Sequence, residues 1–337
     1  MKINNRKGAV AVLILSVVFL PLLLADAAHK KDLQGASFTN PSYQVQMPED
    51  WIKKPIKYED WADKADIAIA LEQDLYHAII PLIQKYAKKN NLKIMVKEGT
   101  CGIAAGMLHN KTIDIGGFCC PPGNEDRLPG LKFHTLGIAA KAILIHPDNP
   151  IDNLTVKQVR DIFAGKIFRW SELKTEKGQQ GPDWTIQAIG RFHCQKRPGH
   201  WRLILDNENR FSTSLNEVSS IPDMITKVAS LKGAIGWEVL GMAEHYKDKG
   251  KVKAVKIDGY YPTDADAIAS KKYPFYRTYN ITTWDRNGVA NPHAQKLVAY
   301  LLKEVEKLDP KLGFVPASRL RQAGWKFKGN ELIGEPE

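Results

Sequence analysis

Three of the four cysteines in this 337-residue chain, Cys101, Cys119 and Cys120, fall within Glu98 to Pro122, which reads EGTCGIAAGMLHNKTIDIGGFCCPP and places them beside glycine-rich turns. The fourth, Cys194, lies in a second turn, GRFHCQKRPGH. Thiolates are soft-metal ligands. A fold that joins the two turns across a cleft would gather Cys101, Cys119, Cys120 and Cys194, with His193, His200 or Glu72 nearby, into a sulfur-rich site for zinc, copper(I) or an iron–sulfur centre. Cys101 and Cys194 each stand just before a predicted helix, whose positive end favours the thiolate. The sequence contains no C-x-x-C zinc spacing and no C-x-x-C-H haem attachment. Placement on loops, not a motif, carries the metal expectation.

Disulfides are the other use of the same residues. Lys2, Arg6 and Lys7 precede an apolar run from Gly8 to Leu24 that ends in Ala25-Asp26-Ala27, the pattern of a secretory signal peptide over residues 1–27. An uncleaved anchor would need a somewhat longer run. The mature chain is therefore expected in the periplasm or outside the cell, where an even number of thiols is commonly oxidised. Adjacent Cys119 and Cys120 would bridge each other only with strain. A bridge from Cys101 to either would stay local, and one to Cys194 would restrict movement between the two turns. With the thiols bridged, Thr100, Gln73, Arg191, His193 and backbone N–H groups are left to hold an oxyanion. A Cys194 nucleophile with His193 or His200 as base lacks an orienting acid, so the chain is not expected to be an enzyme.

With 44% hydrophobic residues, the chain is long enough for two lobes with separate cores. The formal charge is +11, and loss of residues 1–27, with three bases and one acid, leaves about +9. That charge is spread without a basic block, so nucleic-acid binding is not expected.

Residues 28–65 are polar and proline-punctuated and read as an extended arm. Ile67 to Leu71 is a strand that passes through Glu72-Gln73-Asp74 into a helix with Leu75, Ile79, Leu82 and Tyr86 at helical spacing. Strands follow at Leu92 to Val96 and Thr112 to Gly116, the latter opening onto Phe118-Cys119-Cys120, with a short helix at Ile103 to Leu108 between them. Ala142 to His146 is predicted as a strand after a loop. Thr155 and Gln158 form a capping box, with Leu154 stapled onto Val159. Further strands are expected at Thr185 to Ile189, Ala234 to Trp237, Val252 to Ile257 and Arg277 to Thr283, and a closing helix at Pro292 to Leu308. This alternation is that of an α/β fold with mostly parallel sheets. Ligands in such sheets sit beyond the carboxyl ends of the strands, where Glu72, Cys101, Phe118 to Cys120 and Arg191 to Cys194 all fall.

The succession resembles the phosphate-binding proteins of bacterial phosphate ABC transporters. It does so through Gly102-Ile103-Ala104-Ala105-Gly106-Met107-Leu108 with Asp114-Ile115-Gly116, His146-Pro147-Asp148-Asn149-Pro150, Asp161-Ile162-Phe163-Ala164-Gly165-Lys166-Ile167, Ile189-Gly190-Arg191, Gly233-Ala234-Ile235-Gly236-Trp237 and Leu312-Gly313-Phe314-Val315-Pro316. The resemblance implies a two-lobed periplasmic-binding fold of type II, with lobe 1 formed by 66–146 and 275–320, lobe 2 by 147–274, a hinge of two crossing strands and a tail at 321–337. It also implies a monomer that closes on a small ligand and delivers it to an ABC permease in the inner membrane. The family's hydroxyl-rich ligand turns are replaced here by Glu72-Gln73, Gly99-Thr100-Cys101, Cys119-Cys120 and Phe192-His193-Cys194. The expected ligand therefore shifts toward a metal, with an oxyanion receptor or a redox or metal-handling protein on the same fold as alternatives.

Overall fold

The computed structural model describes residues 38–192, 200–285 and 289–337. The expected signal segment, and His193 and Cys194, lie outside the described residues.

Strand β1 (Ile67–Glu72) reads IAIALE and is buried along its whole length, as a strand without a polar face must be. Parallel partners β2 (Ile94–Gly99) and β3 (Ile115–Phe118) flank it. Helix α2 (Gln73–Asn90) follows β1 directly and buries Leu75, Ile79, Ile83 and Tyr86. Its N-cap is Glu72, whose carboxylate accepts from the Asp74 N–H at 3.1 Å. Between β2 and β3 runs α3 (Cys101–His109), capped by Thr100. The arm before β1 contains a short helix α1 (Glu49–Lys53) and is fastened to this lobe. Trp51 Nε1 donates to the His109 carbonyl at 2.7 Å, Tyr58 to Asp114 at 2.5 Å, and Lys111 Nζ to the carbonyls of Ile52 and Lys54.

The second lobe is built on β6 (Gln187–Gly190), β7 (Asn216–Glu217) and β8 (Ala234–Val239), parallel to one another. Short parallel strands β5 (Asn153–Leu154) and β10 (Lys256–Ile257) lie beside them, with β9 (Lys253–Ala254) between in sequence. Helix α4 (Val156–Phe163) starts at the expected capping box: Thr155 Oγ1 accepts from the Gln158 N–H and Gln158 Oε1 from the Thr155 N–H. Helix α5 (Ile221–Ser230) packs on β8 at Gly236, where a Cβ would lie 2.5 Å from Met224 Sδ. Helices α6 (Leu240–His245) and α7 (Ala265–Ala269) complete this half. Trp170, Trp201 and Trp237 are buried in its core.

Between the lobes run β4 (Leu131–Ile145) and β11 (Tyr276–Trp284), antiparallel, with a bulge at Tyr279/Asn280. Residues Leu131 to Ala140 of β4 pair with β11, and Lys141 to Ile145 pair with β8. One strand thus belongs to both lobes. It begins well before the predicted Ala142, because Lys132, His134 and Gly137 interrupt the apolar pattern of its first half. Helix α8 (Pro292–Glu304) returns to the first lobe, and β12 (Phe314–Pro316) adds to β4. A Cβ on Gly137 would meet the Val315 carbonyl at 2.3 Å, so only glycine permits this approach.

The expectation of mostly parallel sheets is met only among β1–β3, among β6–β8 and between β5 and β10, because β4 and β11 run through the sheet against their neighbours: β11 pairs antiparallel with β3 and β4, and β8, β9 and β12 pair antiparallel with β4. The segment expected as one strand from Val252 to Ile257 is two short pieces either side of Val255. The tail forms a hairpin, β13 (Lys326–Lys328) and β14 (Glu331–Gly334), tied down by Arg127 to Glu331 at 2.6 Å and by the Leu332 N–H to Thr135.

Candidate functional site

The thiols of Cys101, Cys119 and Cys120 converge. Cys101 opens α3 just after β2, and Cys119 and Cys120 follow the last residue of β3, so the ends of the two strands that flank β1 deliver them to one point. The sulfurs of Cys101 and Cys119 are 3.2 Å apart and those of Cys119 and Cys120 3.8 Å, with all three within 4.8 Å of one another. These spacings exceed the ~2.05 Å of an S–S bond, so neither pair is a disulfide. All three side chains are buried. The Cys119 N–H donates to Cys101 Sγ at 3.4 Å, and Asn280 on β11 donates to the Cys120 carbonyl at 2.9 Å while accepting from Thr135. The hinge strands therefore fix the loop that carries two of the thiols.

Around the thiols lies a cluster of charges that the sequence reading named only in part. Glu72 and Asp74 come from the β1–α2 junction, Arg191 from the end of β6, Glu238 from β8, Arg277 from β11 and Lys141 from β4; all are buried. Arg277 pairs with Asp74 and lies 3.7 Å from Glu72 and 3.9 Å from Glu238. Arg191 pairs with Glu238 at 3.0 Å. Arg277 on the hinge strand β11 reaches the first lobe through Asp74 and Glu72 and the second through Glu238, while the Arg191–Glu238 pair stays within the second lobe. Burial raises the Glu72 carboxyl above its ordinary range, against the pull of Arg277 and Arg191, and Glu72 also hydrogen-bonds with Cys119. For Arg191, burial alone would ease the proton off, but Glu238 and Glu72 hold it firmly on.

Lys141 is different. It is fully buried, its Nζ lies 4.9 Å from the centre of the Trp237 ring, and that Nζ has no hydrogen-bond partner among the described residues. Burial depresses its pKa well below the usual lysine range, opposed by Glu238, Cys120 and Cys119.

Of the residues expected at the site, Glu72, Cys101, Cys119, Cys120 and Arg191 meet in this region. Phe118 is buried against Phe133, with ring centres 5.6 Å apart. Gln73 is half-buried in the first turn of α2. Thr100 is exposed, and its hydroxyl oxygen accepts from the Ile103 N–H as the cap of α3. His193 and Cys194 are outside the described residues, and His200 opens a short 3₁₀ helix, His200–Leu203. The reading missed Asp74, Lys141, Glu238 and Arg277. Each of the last three is a lone charge in an otherwise apolar strand, IAAKAILI, GWEV and YRTYNITTW, and such a residue must find a buried partner.

A cavity of ≈ 200 Å³ lies beside the cluster, between α2 and α6, lined by Asp74, His77, His245 and Tyr279. His77 and His245 stack across it with ring centres 3.9 Å apart, and His77 Nε2 is 3.3 Å from Glu98.

The profile of the PBP superfamily domain matches residues 62–305. The phosphate-binding protein PstS of Bacillus subtilis is 24% identical over 253 residues, spanning 72% of this chain and 78% of that protein. The PstS of Staphylococcus saprophyticus is 22% identical over 272 residues, spanning 76% and 82%. Among solved structures, a putative phosphate ABC transporter substrate-binding protein with bound phosphate from Clostridium perfringens superposes with a TM-score of 0.62 at 19% identity, over 74% of this chain and 99% of that one. An ABC-type phosphate transport receptor from Vibrio cholerae gives 0.57 at 22% identity, with the same two coverages.

Proposed function

The chain belongs to the PBP superfamily, and from that premise we propose that it is an extracytoplasmic solute-binding receptor that closes two lobes on a thiophilic metal species and passes it to a membrane permease. The observation that carries this reading is the convergence of Cys101, Cys119 and Cys120 at the ends of β2 and β3, where Asn280 of the hinge strand β11 donates to the Cys120 carbonyl. Three soft donors within one coordination sphere suit zinc, copper(I) or a related soft ion. The surrounding carboxylates suit an oxyanion poorly, because Glu238 already occupies Arg191 and Asp74 occupies Arg277. Hinge movement about β4 and β11 is the expected closing motion.

Elemental analysis and thiol titration of mature protein, isolated from its native compartment without reductant, test the reading. A soft metal in stoichiometric amount with masked thiols supports it. Metal-free protein that releases heat on mixing with inorganic phosphate replaces it with an oxyanion receptor, the second reading, which the phosphate-binding names of its relatives favour.

A further inference from the structure

Three thiols in contact are also an oxidisable group, and the geometry selects which two of them join. Cys101 Sγ lies 3.2 Å from Cys119 Sγ, against 3.8 Å between Cys119 and Cys120. A bond of about 2.05 Å requires the first pair to close by roughly 1.2 Å, within the reach of side-chain rotation. The Cys119 N–H donates to Cys101 Sγ at 3.4 Å, so the Cys119 backbone itself lies against the Cys101 side chain. Adjacent Cys119 and Cys120 would close only into a strained ring. The Cys120 peptide is also held through its carbonyl by Asn280 at 2.9 Å, and Asn280 accepts from the Thr135 hydroxyl at 2.6 Å. Cys101 and Cys119 are the pair free to move together.

The two sulfurs differ in role. Cys101 is the first residue of the nine-residue helix α3, where the helix dipole and free N–H groups favour a thiolate. Its sulfur is also the one that accepts the Cys119 N–H. The thiolate is the form that attacks an oxidant, so Cys101 reacts first.

Burial decides the oxidant. Cys101, Cys119 and Cys120 are each at most 1% exposed, which bars the disulfide of another protein from the in-line approach that exchange requires. Hydrogen peroxide, with two heavy atoms, enters on a small local opening. The Cys101 thiolate takes one oxygen and releases hydroxide, giving the sulfenic acid. The Cys119 sulfur then attacks that sulfur; an S–S bond forms, an S–O bond breaks, and the leaving hydroxide departs with a proton as water. Two thiols lose two electrons, and peroxide is reduced to two molecules of water.

We propose that Cys101 and Cys119 are a redox pair, oxidised by a small hydroperoxide to a disulfide that leaves Cys120 outside the bridge. Its consequence for ligand binding, that oxidation removes two of three soft donors and releases the metal, rests on the receptor reading above.

The test treats the mature, reduced, metal-free chain with hydrogen peroxide, alkylates it and digests it with trypsin, which cuts at Lys111 between the two cysteines. The expected product joins the Cys101 peptide to Cys119, and the count of titratable thiols falls by two. Cys120→Ser is expected to give the same cross-link. Cys119→Ser is expected to stop at the sulfenic acid on Cys101, which a 1,3-diketone traps. Unchanged thiols, or a bridge that includes Cys120 or Cys194, overturn the proposal. Cd²⁺, a soft divalent probe whose thiolate absorption reports binding, separates this proposal from the receptor reading. The reduced parent is expected to show that absorption and the oxidised parent to lose it. A chain that forms the cross-link but never binds Cd²⁺ when reduced keeps the redox pair and removes the metal receptor. A chain that binds Cd²⁺ when reduced, yet keeps all its thiols when metal-free in peroxide, does the reverse.

Discussion

Cys101 and Cys119 are 18 residues apart in sequence, yet their sulfurs lie 3.2 Å apart. Parallel pairing on either side of β1 produces that meeting. β2 leads into Cys101 and β3 into Cys119, and β1 between them holds both exits at one edge of the sheet. The intervening residues form α3, which packs back on the strands.

Replacing either thiol is expected to separate folding from binding. Cys101→Ser and Cys119→Ser place a small hydroxyl in a buried sulfur pocket, at a cost of about 1–3 kcal/mol. Both should fold and lose the metal. If calorimetry finds each binding Cd²⁺ as the parent does, the site is elsewhere.

The buried pair of Arg191 and Glu238 gives a second expectation. Glu238→Ala leaves Arg191 buried against an empty space and should cost about 3–5 kcal/mol in urea unfolding. Adding Arg191→Met to that variant should recover part of the loss, since the stranded charge disappears. Strict additivity of the two losses would mean that the groups do not interact.

His134 makes stability depend on pH. Burial, with a smaller contribution from Lys132, lowers its pKa from 6.5 to about 4, and its ring nitrogens meet Thr283 and Asn330. Between these two values the unfolded chain takes up the proton and the folded chain does not. The His134 contribution therefore falls as pH drops from about 6.5 to about 4 and is level outside that window, with a slope of at most about 1.4 kcal/mol per pH unit. Buried acids such as Asp114, whose pKa burial raises, push the opposite way. The informative quantity is the parent minus His134→Gln, which should be level above pH 7 and grow less favourable to the parent as pH falls from about 6.5 to about 4. A flat difference would contradict it.

Hinge closure should be visible in solution. X-ray scattering of the metal-free and Cd²⁺-loaded chain is expected to give a smaller radius of gyration with metal. An unchanged radius would argue for a rigid molecule whose lobes stay together throughout.

The fold was legible where pattern and chemistry coincide. The strand-to-helix passage at Glu72 and the Thr155–Gln158 capping box each leave a local trace, while the resemblance rested on segments such as Gly102 to Leu108, Asp161 to Ile167 and Gly233 to Trp237. The first half of β4 left none, because a strand flanked by β11 and β12 tolerates Lys132, His134 and Gly137 without a regular alternation. Cysteines announce themselves by rarity, so the three thiols of the candidate site were easy to see. Asp74, Lys141, Glu238 and Arg277 were not, since a lone charge in an apolar run shows that a partner is needed without showing which one. Only the crossing of β4 and β11 brings those charges to the same place.

Because β4 runs unbroken from one lobe into the other, neither half can be lifted out as a module. Any chimera that exchanges one lobe with a relative must cut through the hydrogen-bond ladder near Ala140 and Lys141. Changes of ligand in this lineage are therefore constrained to proceed by substitution within one continuous frame, and two independently evolved halves cannot simply be recombined.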